Sequence, residues 1–293
     1  MKKYLIIIVI SVLPTLCFAT AQVGDLLIWN NDTLVMFSNP LDKYCDSCFI
    51  SRKIIDELYR KDSLLHPDKY SHEYESLEST ACWRGYFAEW KLINNKLYLS
   101  RIVACNDSDL ILEANEIFPQ LNNEELFAEW YTGEIILPKG ECIEYVHLDY
   151  KSIYEKEVVL NFSNGFFVDS VTYKNSIGKK STFFDNYCSE KSQEFIYGNI
   201  QWEKFPDFNG VTITAFVGIQ PNENGQIDSI NFEYTYALDD KGIISDLENI
   251  FIKEAIRIAR LIPDWDVVYH RGSIVDRGFS INFNEIMKDK YAR

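Results

Sequence analysis

Tight-turn signals between stretches of alternating apolar and polar residues are the feature that most restricts the fold of this chain. Asn94-Asn95, Asn164-Gly165 and Asn224-Gly225 each stand between two such stretches. Asn and Gly tolerate the positive φ angles that short hairpin turns need. Each signal therefore predicts an antiparallel hairpin. Aromatic residues make up 15% of the chain and also favour the half-buried surface of a sheet.

The pattern changes along the chain, and this change predicts two domains. Residues 22–175 consist mostly of strand signals, whereas residues 174–188 are polar and mark the expected boundary. Beyond it, Val211–Ile219 alternates strictly and predicts a strand. We therefore predict an α+β protein with a β-rich antiparallel domain at 22–175 and a small α+β domain at 190–285.

Four helices are predicted. One lies near Ile50–Arg60, and two short ones lie near Asn122–Trp130 and at Glu190–Ile200. The clearest begins at the capping box Ser245-x-x-Glu248, in which each side chain satisfies a free backbone N–H, and Pro263 ends it. Phe279–Phe283 then predicts a last strand.

The first 21 residues resemble an export signal. Met1-Lys2-Lys3 is positively charged, an apolar run follows, and Ala19-Thr20-Ala21 offers small residues before a cut after Ala21. The apolar run is too short for a comfortable membrane span. A lipoprotein signal with Cys17 is the alternative, but Leu16 stands where such a signal has a small residue. We expect a periplasmic or secreted protein.

Six cysteines remain after such a cut, and an oxidising compartment makes disulfides the default. The Asn94-Asn95 hairpin brings Cys82 and Cys105 together at its open end. Cys45-x-x-Cys48 has no βαβ pattern around it, which favours a structural role over redox chemistry. The pairing of the others stays open; the candidates are Cys45, Cys48, Cys82, Cys105, Cys142 and Cys188.

Charge excludes one class of partner. The chain carries 44 acidic and 29 basic residues, a formal net charge of −15, with no segregated basic patch. A phosphate backbone would be repelled, so we expect no nucleic-acid partner.

Residues 195–285 resemble the TonB C-terminal domain family. The matching pieces are Phe216-Val217-Gly218-Ile219, Asn224-Gly225-Gln226-Ile227-Asp228-Ser229-Ile230, Glu254-Ala255-Ile256-Arg257-Ile258-Ala259-Arg260, Ile262-Pro263-Asp264-Trp265, and Gly272 followed by Phe279-Ser280-Ile281-Asn282-Phe283. The resemblance implies an antiparallel sheet packed by one long helix. It also implies that an extended peptide of an outer-membrane receptor adds as a strand to the sheet edge formed by Gly278, Phe279, Ser280, Ile281, Asn282 and Phe283.

The chain departs from that family in three respects. Phe205-Pro206 stands where the family opens with Tyr-Pro. Val267 stands where members often carry Pro, and the chain shows neither the membrane anchor nor the Pro-rich spacer of the energy transducers. We therefore do not carry energy transduction over from the resemblance. The front domain is similar to exported proteins of Bacteroides-type bacteria at Thr80–Tyr86, Lys96–Leu99 and Trp130–Gly133, which implies a source and no activity.

Motifs that carry catalysis are absent from the sequence. It contains no Gly-x-Ser-x-Gly, no His-Glu-x-x-His and no phosphate-binding Gly-rich loop. His147, in a strand pattern, and His270, before Arg271-Gly272, are better explained as structural residues. Asn222–Asp228 faintly resembles a calcium loop but is better explained as a hairpin turn. We expect no enzyme activity, no cofactor and no metal.

The sequence therefore favours an exported, non-enzymatic binding protein whose partner is a protein or peptide of the cell envelope, such as a TonB-dependent outer-membrane receptor. One alternative is a structural envelope protein that self-associates as a homodimer through the TonB-like domain. Another is an enzyme of unknown type with a pocket in the front domain, lined by His147 and buried carboxylates.

Overall fold

The chain folds into sheets and a few helices, as the predicted α+β class requires. A computed structural model describes residues 21–44, 47–65, 77, 79–119, 121, 125–183, 190–239, 242–244 and 250–292. The capping box Ser245-x-x-Glu248 falls outside these residues. So does the predicted signal segment, except for Ala21, after which the cut is predicted. Within them, no helix combines the length and the apolar character needed to cross a membrane.

The chain divides into two compact units. The first comprises residues up to Pro138, Glu144–Ile153 and Val158–Val171. The second comprises Lys139–Ile143, Tyr154–Glu157 and residues from Thr172 onward.

A large sheet contains the first nine strands. They are β1 (Asp25–Trp29), β2 (Asp32–Met36), β3 (Tyr86–Ile93), β4 (Lys96–Ala104), β5 (Ile111–Glu113), β6 (Leu126–Phe127), β7 (Gly133–Glu144), β8 (Ile153–Ser163) and β9 (Phe166–Lys174). Their order is β2-β1-β3-β4-β9-β8-β7, with β5 and β6 also paired to β4. Because β1 runs parallel to β3, the sheet is mixed rather than purely antiparallel as predicted.

The predicted hairpin turns form here as the residue types require. Asn94 and Asn95 join β3 to β4 with φ angles of 49° and 61°, and Asn164-Gly165 joins β8 to β9 in the same way. Two successive positive φ angles match the twist of the flanking strands, so each turn fixes the register of its hairpin.

Helix α1 (Ser47–Leu65) supplies the helical side of the core in the first unit, in agreement with the helix predicted near Ile50–Arg60. Ile50, Ile54 and Leu58 recur at every fourth position and are buried in the same core as Tyr86 and Trp90. The short α2 (Ala114–Ile117) follows β5. The helix predicted near Asn122–Trp130 is wrong over its described residues, because Leu126–Phe127 pairs with β4 as strand β6.

The described part of the second unit contains two smaller sheets and three α-helices. The strands are β10 (Ser176–Lys179), β11 (Thr212–Pro221), β12 (Ile227–Asp239), β13 (Gly242–Ile244), β14 (Val267–His270), β15 (Ser273–Ile274) and β16 (Arg277–Phe283). The helices are α3 (Glu190–Gly198), α4 (Ile250–Leu261) and α5 (Glu285–Tyr291). One sheet has the order β10-β14-β15 and the other β13-β12-β11-β16.

Helix α4 packs on one face of the four-stranded sheet. Ala255, Ile258 and Ala259 are fully buried on it, and they share a core with Val217 of β11 and Ile281 of β16. Burying one such Ile contributes about 1.5–3 kcal/mol, so this apolar stripe holds the helix to the sheet. On the opposite face of the sheet, Phe216 of β11 is half-buried and Phe232 of β12 is exposed.

Residues 174–183 of the polar stretch predicted as a domain boundary lie in the second unit. Ser176–Lys179 forms strand β10, and Ser181 and Thr182 donate hydrogen bonds to the carboxylate of Asp264 at 2.9–3.1 Å. Lys179 adds an ion pair to the same carboxylate at 2.9 Å. Burial alone would raise the pKa of Asp264, but these donors outweigh it and lower the pKa to about 2.

Candidate functional site

The candidate site is strand β16, at one end of the four-stranded sheet. It pairs antiparallel with β11 and with no other strand in the described part of the chain. Phe279, Ile281 and Phe283 are buried under α4, whereas Gly278, Ser280 and Asn282 are exposed between them. All six residues implicated by the TonB resemblance therefore lie on one edge strand.

The backbone of β16 shows which groups point away from the sheet. The N–H of Asn282 donates to the hydroxyl of Tyr197 in α3 at 3.4 Å, so it does not point at β11. Pairs in an antiparallel ladder alternate between hydrogen-bonded and non-hydrogen-bonded, and Asn282–Thr214 is thus a non-bonded pair. Ser280 lies two residues earlier and opposite Phe216, so these two also form a non-hydrogen-bonded pair. The N–H and C=O of Ser280 point outward and meet no partner among the described residues.

Helices α3 and α5 close the far end of this edge. Tyr197 is 8% exposed and stacks on Tyr291 of α5 with ring centroids 5.4 Å apart. Burial raises the pKa of Tyr197 above its ordinary value. A visiting strand can therefore align with Ser280, but beyond Asn282 it meets the aromatic pair. The accessible edge is short.

The opposite edge of the same sheet is formed by β12. Strand β13 covers β12 only at Ala237–Asp239. In the part of the chain that the structure describes, the rest of β12 pairs with β11 alone. The sheet thus has two exposed edges, of which only β16 was singled out from the sequence.

The cysteine predictions are answered in part. Cys82 and Cys105 form the expected disulfide at the open end of the β3–β4 hairpin, with Cα atoms 6.5 Å apart. Cys142 is exposed in β7 and unbonded among the described residues. Cys48 lies in α1, and Cys45 and Cys188 fall outside the described residues.

The structure places His147 and His270 in different settings. His147 is exposed beside Tyr145, and the strand expected there is wrong because β7 ends at Glu144. His270 ends β14, and its Nε2 lies 2.9 Å from the buried carboxylate of Glu157, which also accepts from Arg271. That arrangement occupies both oxygens of Glu157 and ties the β14–β15 turn in place.

The calcium-like segment is a turn. The side-chain oxygen of Asn222 accepts from the N–H groups of Asn224 and Gln226, both at 3.0 Å. Only Gly225, at φ 77°, has a positive φ angle, so Asn224-Gly225 forms a longer loop than the two-residue turn expected. Across the described residues, no group of three or more His, Cys, Asp or Glu side chains is arranged to hold a metal ion.

A cleft in the first unit was missed by the sequence reasoning. It encloses about 410 Å³ and is lined by Asn39, Asp42, Trp83, Arg84, Tyr150 and Lys151, among others. The described lining residues include no His, Cys or Ser, and His147 is not one of them.

Most polar groups of this cleft are engaged within the fold. Arg84 is bound to Asp25 at 2.7 Å, and the Tyr150 hydroxyl donates to Asn39 at 2.8 Å. Burial raises the pKa of Tyr150 to about 12, so it cannot serve as a base near neutral pH.

Comparison with known proteins adds no identity. The chain matches no family model, no curated protein and no solved structure. The resemblance to the TonB C-terminal family therefore remains a prediction from the quoted residues.

Proposed function

We propose that the protein is an exported, non-enzymatic binding protein that takes up an extended peptide of a cell-envelope partner along strand β16. The observation that carries this proposal is the outward-pointing N–H and C=O of Ser280 on an edge strand. Backbone groups of this kind pair with a visiting strand and supply affinity with little dependence on side chains. The disulfide between Cys82 and Cys105 supports export, since such bonds persist in oxidising compartments.

The partner we favour is an extended segment of a TonB-dependent outer-membrane receptor, as the sequence resemblance implies. The negative net charge favours a segment with basic residues, because opposite charges accelerate the encounter. The short open edge favours a segment of few residues anchored at Ser280 rather than a long strand.

A proline substitution tests the proposal without breaking the fold. Ser280→Pro deletes the outward N–H but no ladder bond to β11, and proline is tolerated on edge strands at such positions. Synthetic N-terminal segments of TonB-dependent receptors are titrated against the purified protein by fluorescence anisotropy. We expect Ser280→Pro to weaken binding about tenfold, the effect of losing one backbone hydrogen bond plus crowding by the ring.

Ser280→Ala is the matched control, because it keeps the N–H and removes only the hydroxyl. It should bind the peptides as the unaltered protein does. Equal affinity of the proline and alanine variants, or no binding of any peptide to the unaltered protein, contradicts the proposal. A concentration-dependent dimer abolished by Ser280→Pro would instead show that a second copy occupies the edge.

A further inference from the structure

The outer face of the four-stranded sheet carries a stripe of aromatic rings. Phe216 of β11 and Phe232, Tyr234 and Tyr236 of β12 alternate with residues on the helix-covered face. Phe232 is 45% exposed and Tyr234 is 50% exposed. Large aromatic rings are costly to leave in water, so a contiguous group of them on a sheet face indicates a binding surface.

The rings lie nearly parallel and lean across the sheet. The planes of Phe216 and Phe232 differ by 13°, and those of Phe216 and Tyr234 by 18°. A Cβ on Gly218 would overlap the ring of Phe232, and one on Gly278 would lie 2.8 Å from Phe216. Glycine inside a strand weakens it, but here it admits a ring close to the backbone. The tilted rings therefore overlap and form a flat platform, and they do not stand upright with a groove between them.

Neutral polar groups border the platform on the side of β16. Ser280 lies directly opposite Phe216 in register, and the hydroxyl of Thr214 donates to the side-chain oxygen of Asn282 at 2.8 Å. The outward positions from 214 to 218, 232 to 236 and 278 to 282 carry no charged residue. On a chain with a net charge of −15, this face is therefore both uncharged and able to donate and accept hydrogen bonds.

The size of the platform limits its occupant. Three strands about 4.8 Å apart and five residues long, at about 3.3 Å each, cover roughly 240 Å². A stable dimer buries about 800 Å² on each partner, so this face alone is too small for a second copy.

The chemistry of the surface excludes two other classes of ligand. Nucleobases also stack on aromatic rings, but the phosphates of a nucleic acid would be repelled by the acidic chain. Proline-rich peptides dock in aromatic-lined grooves, and the flat surface of overlapping rings does not form such a groove.

A neutral sugar chain fits these constraints. The C–H groups on the face of a pyranose ring pack against an aromatic face, while the hydroxyls at its rim exchange hydrogen bonds with neutral polar side chains. A few well-placed polar groups beside an apolar surface are what orient a ligand. We propose that this platform, formed by Phe216, Phe232, Tyr234 and Tyr236 with Ser280 and Asn282 at its border, binds a neutral oligosaccharide.

The test uses neutral hexasaccharides of glucose, xylose, mannose and N-acetylglucosamine, each titrated against the purified protein by calorimetry. We expect at least one of them to bind. Tyr234→Ala should weaken that binding at least tenfold, and Asn282→Ala several-fold. Tyr234→Phe, which keeps the ring, should retain most of it. Trp83→Ala removes an aromatic side chain of the first unit that is 52% exposed, and should change nothing.

Several results would overturn the proposal. These are no binding of any hexasaccharide, equal binding by Tyr234→Ala and the unaltered protein with both folded by circular dichroism, and displacement of the sugar by a proline-rich peptide with higher affinity. A dimer seen by light scattering that Tyr234→Ala dissociates would assign the face to a second copy. Because Tyr234 lies outside β16, its alanine variant should still bind receptor peptides, which separates this proposal from the one above.

Discussion

Asp25 in the first unit and Asp264 in the second are both buried, but they are stabilised by different means. Asp25 in the first unit is fully buried and accepts from Arg84 at 2.7 Å and from the indole N–H of Trp90 at 3.0 Å. Asp264 in the second unit is 6% exposed and is held mainly by hydroxyl and backbone N–H donors of one short segment.

The difference lies in what happens to the partners when the carboxylate is lost. Arg84 has a second guanidinium nitrogen that is buried without an acceptor among the described residues, so it depends on Asp25 for compensation. Lys179, the cation near Asp264, is 34% exposed and can return to water. A buried ion pair is therefore costly to break, whereas a partly exposed one is not.

The largest effect is expected from Asp25→Ala. It leaves a mostly buried guanidinium unpaired, and breaking such a pair costs about 3–5 kcal/mol of unfolding free energy. Urea unfolding followed by tryptophan fluorescence measures the loss. Asp32→Ala, on an exposed position of β2, is the control and should stay within about 0.5 kcal/mol of the unaltered protein.

A second variant asks whether the charge itself is the cause. Replacing Arg84 by Leu in the Asp25→Ala background removes the unpaired cation and should recover part of the lost stability. If Asp25→Ala alone is as stable as the Asp32→Ala control, Asp25 does not compensate the buried charge of Arg84. The contrast drawn with Asp264 would then be wrong.

A smaller, pH-dependent effect is expected at Asp264. Its pKa is about 2 in the folded protein and near 3.8 when unfolded, so it stabilises the fold above about pH 4 and loses this effect as the pH falls toward 2. The shift corresponds to about 2 kcal/mol. Unfolding free energies at pH 5 and pH 2 should therefore differ less in Asp264→Asn than in the unaltered protein. Asp228→Asn, on an exposed position of β12, should leave the difference unchanged.

Local patterns predicted the local structure well. The Asn94-Asn95 turn fixed the register that brings Cys82 to Cys105, and the apolar spacing after position 250 predicted α4. Turn chemistry and helical periodicity act over a few residues, so they can be recognised without knowing the rest of the fold. The edge position of β16 followed from the order of elements in the family it resembles, not from its own residues.

Long-range pairing was not predicted. The parallel contact of β1 with β3 and the pair Asp25–Arg84 join residues about 60 positions apart, and no spacing rule connects them. Ala128 donates its N–H to Leu97, which draws its segment into the sheet although its apolar spacing suggested a helix. The aromatic platform was also missed, because alternation marks two faces but does not say which one a helix covers.

The smallest effect concerns the turn that joins β11 to β12. Gly225 has a φ of 77°, and a Cβ there would lie 2.6 Å from the carbonyl oxygen of Trp265. Gly272 has a φ of 84° with open space around it. Gly272→Ala should therefore cost about 1 kcal/mol for the backbone conformation alone, and Gly225→Ala about 1.5 kcal/mol, since it also disturbs the bond from Trp265 N–H to Gly225. If the two variants lose equal free energy of unfolding in thermal unfolding, the hydrogen bond from the Trp265 N–H to Gly225 does not stabilise the turn. Asp264, the immediate neighbour of Trp265, would then stabilise the second unit without this contact.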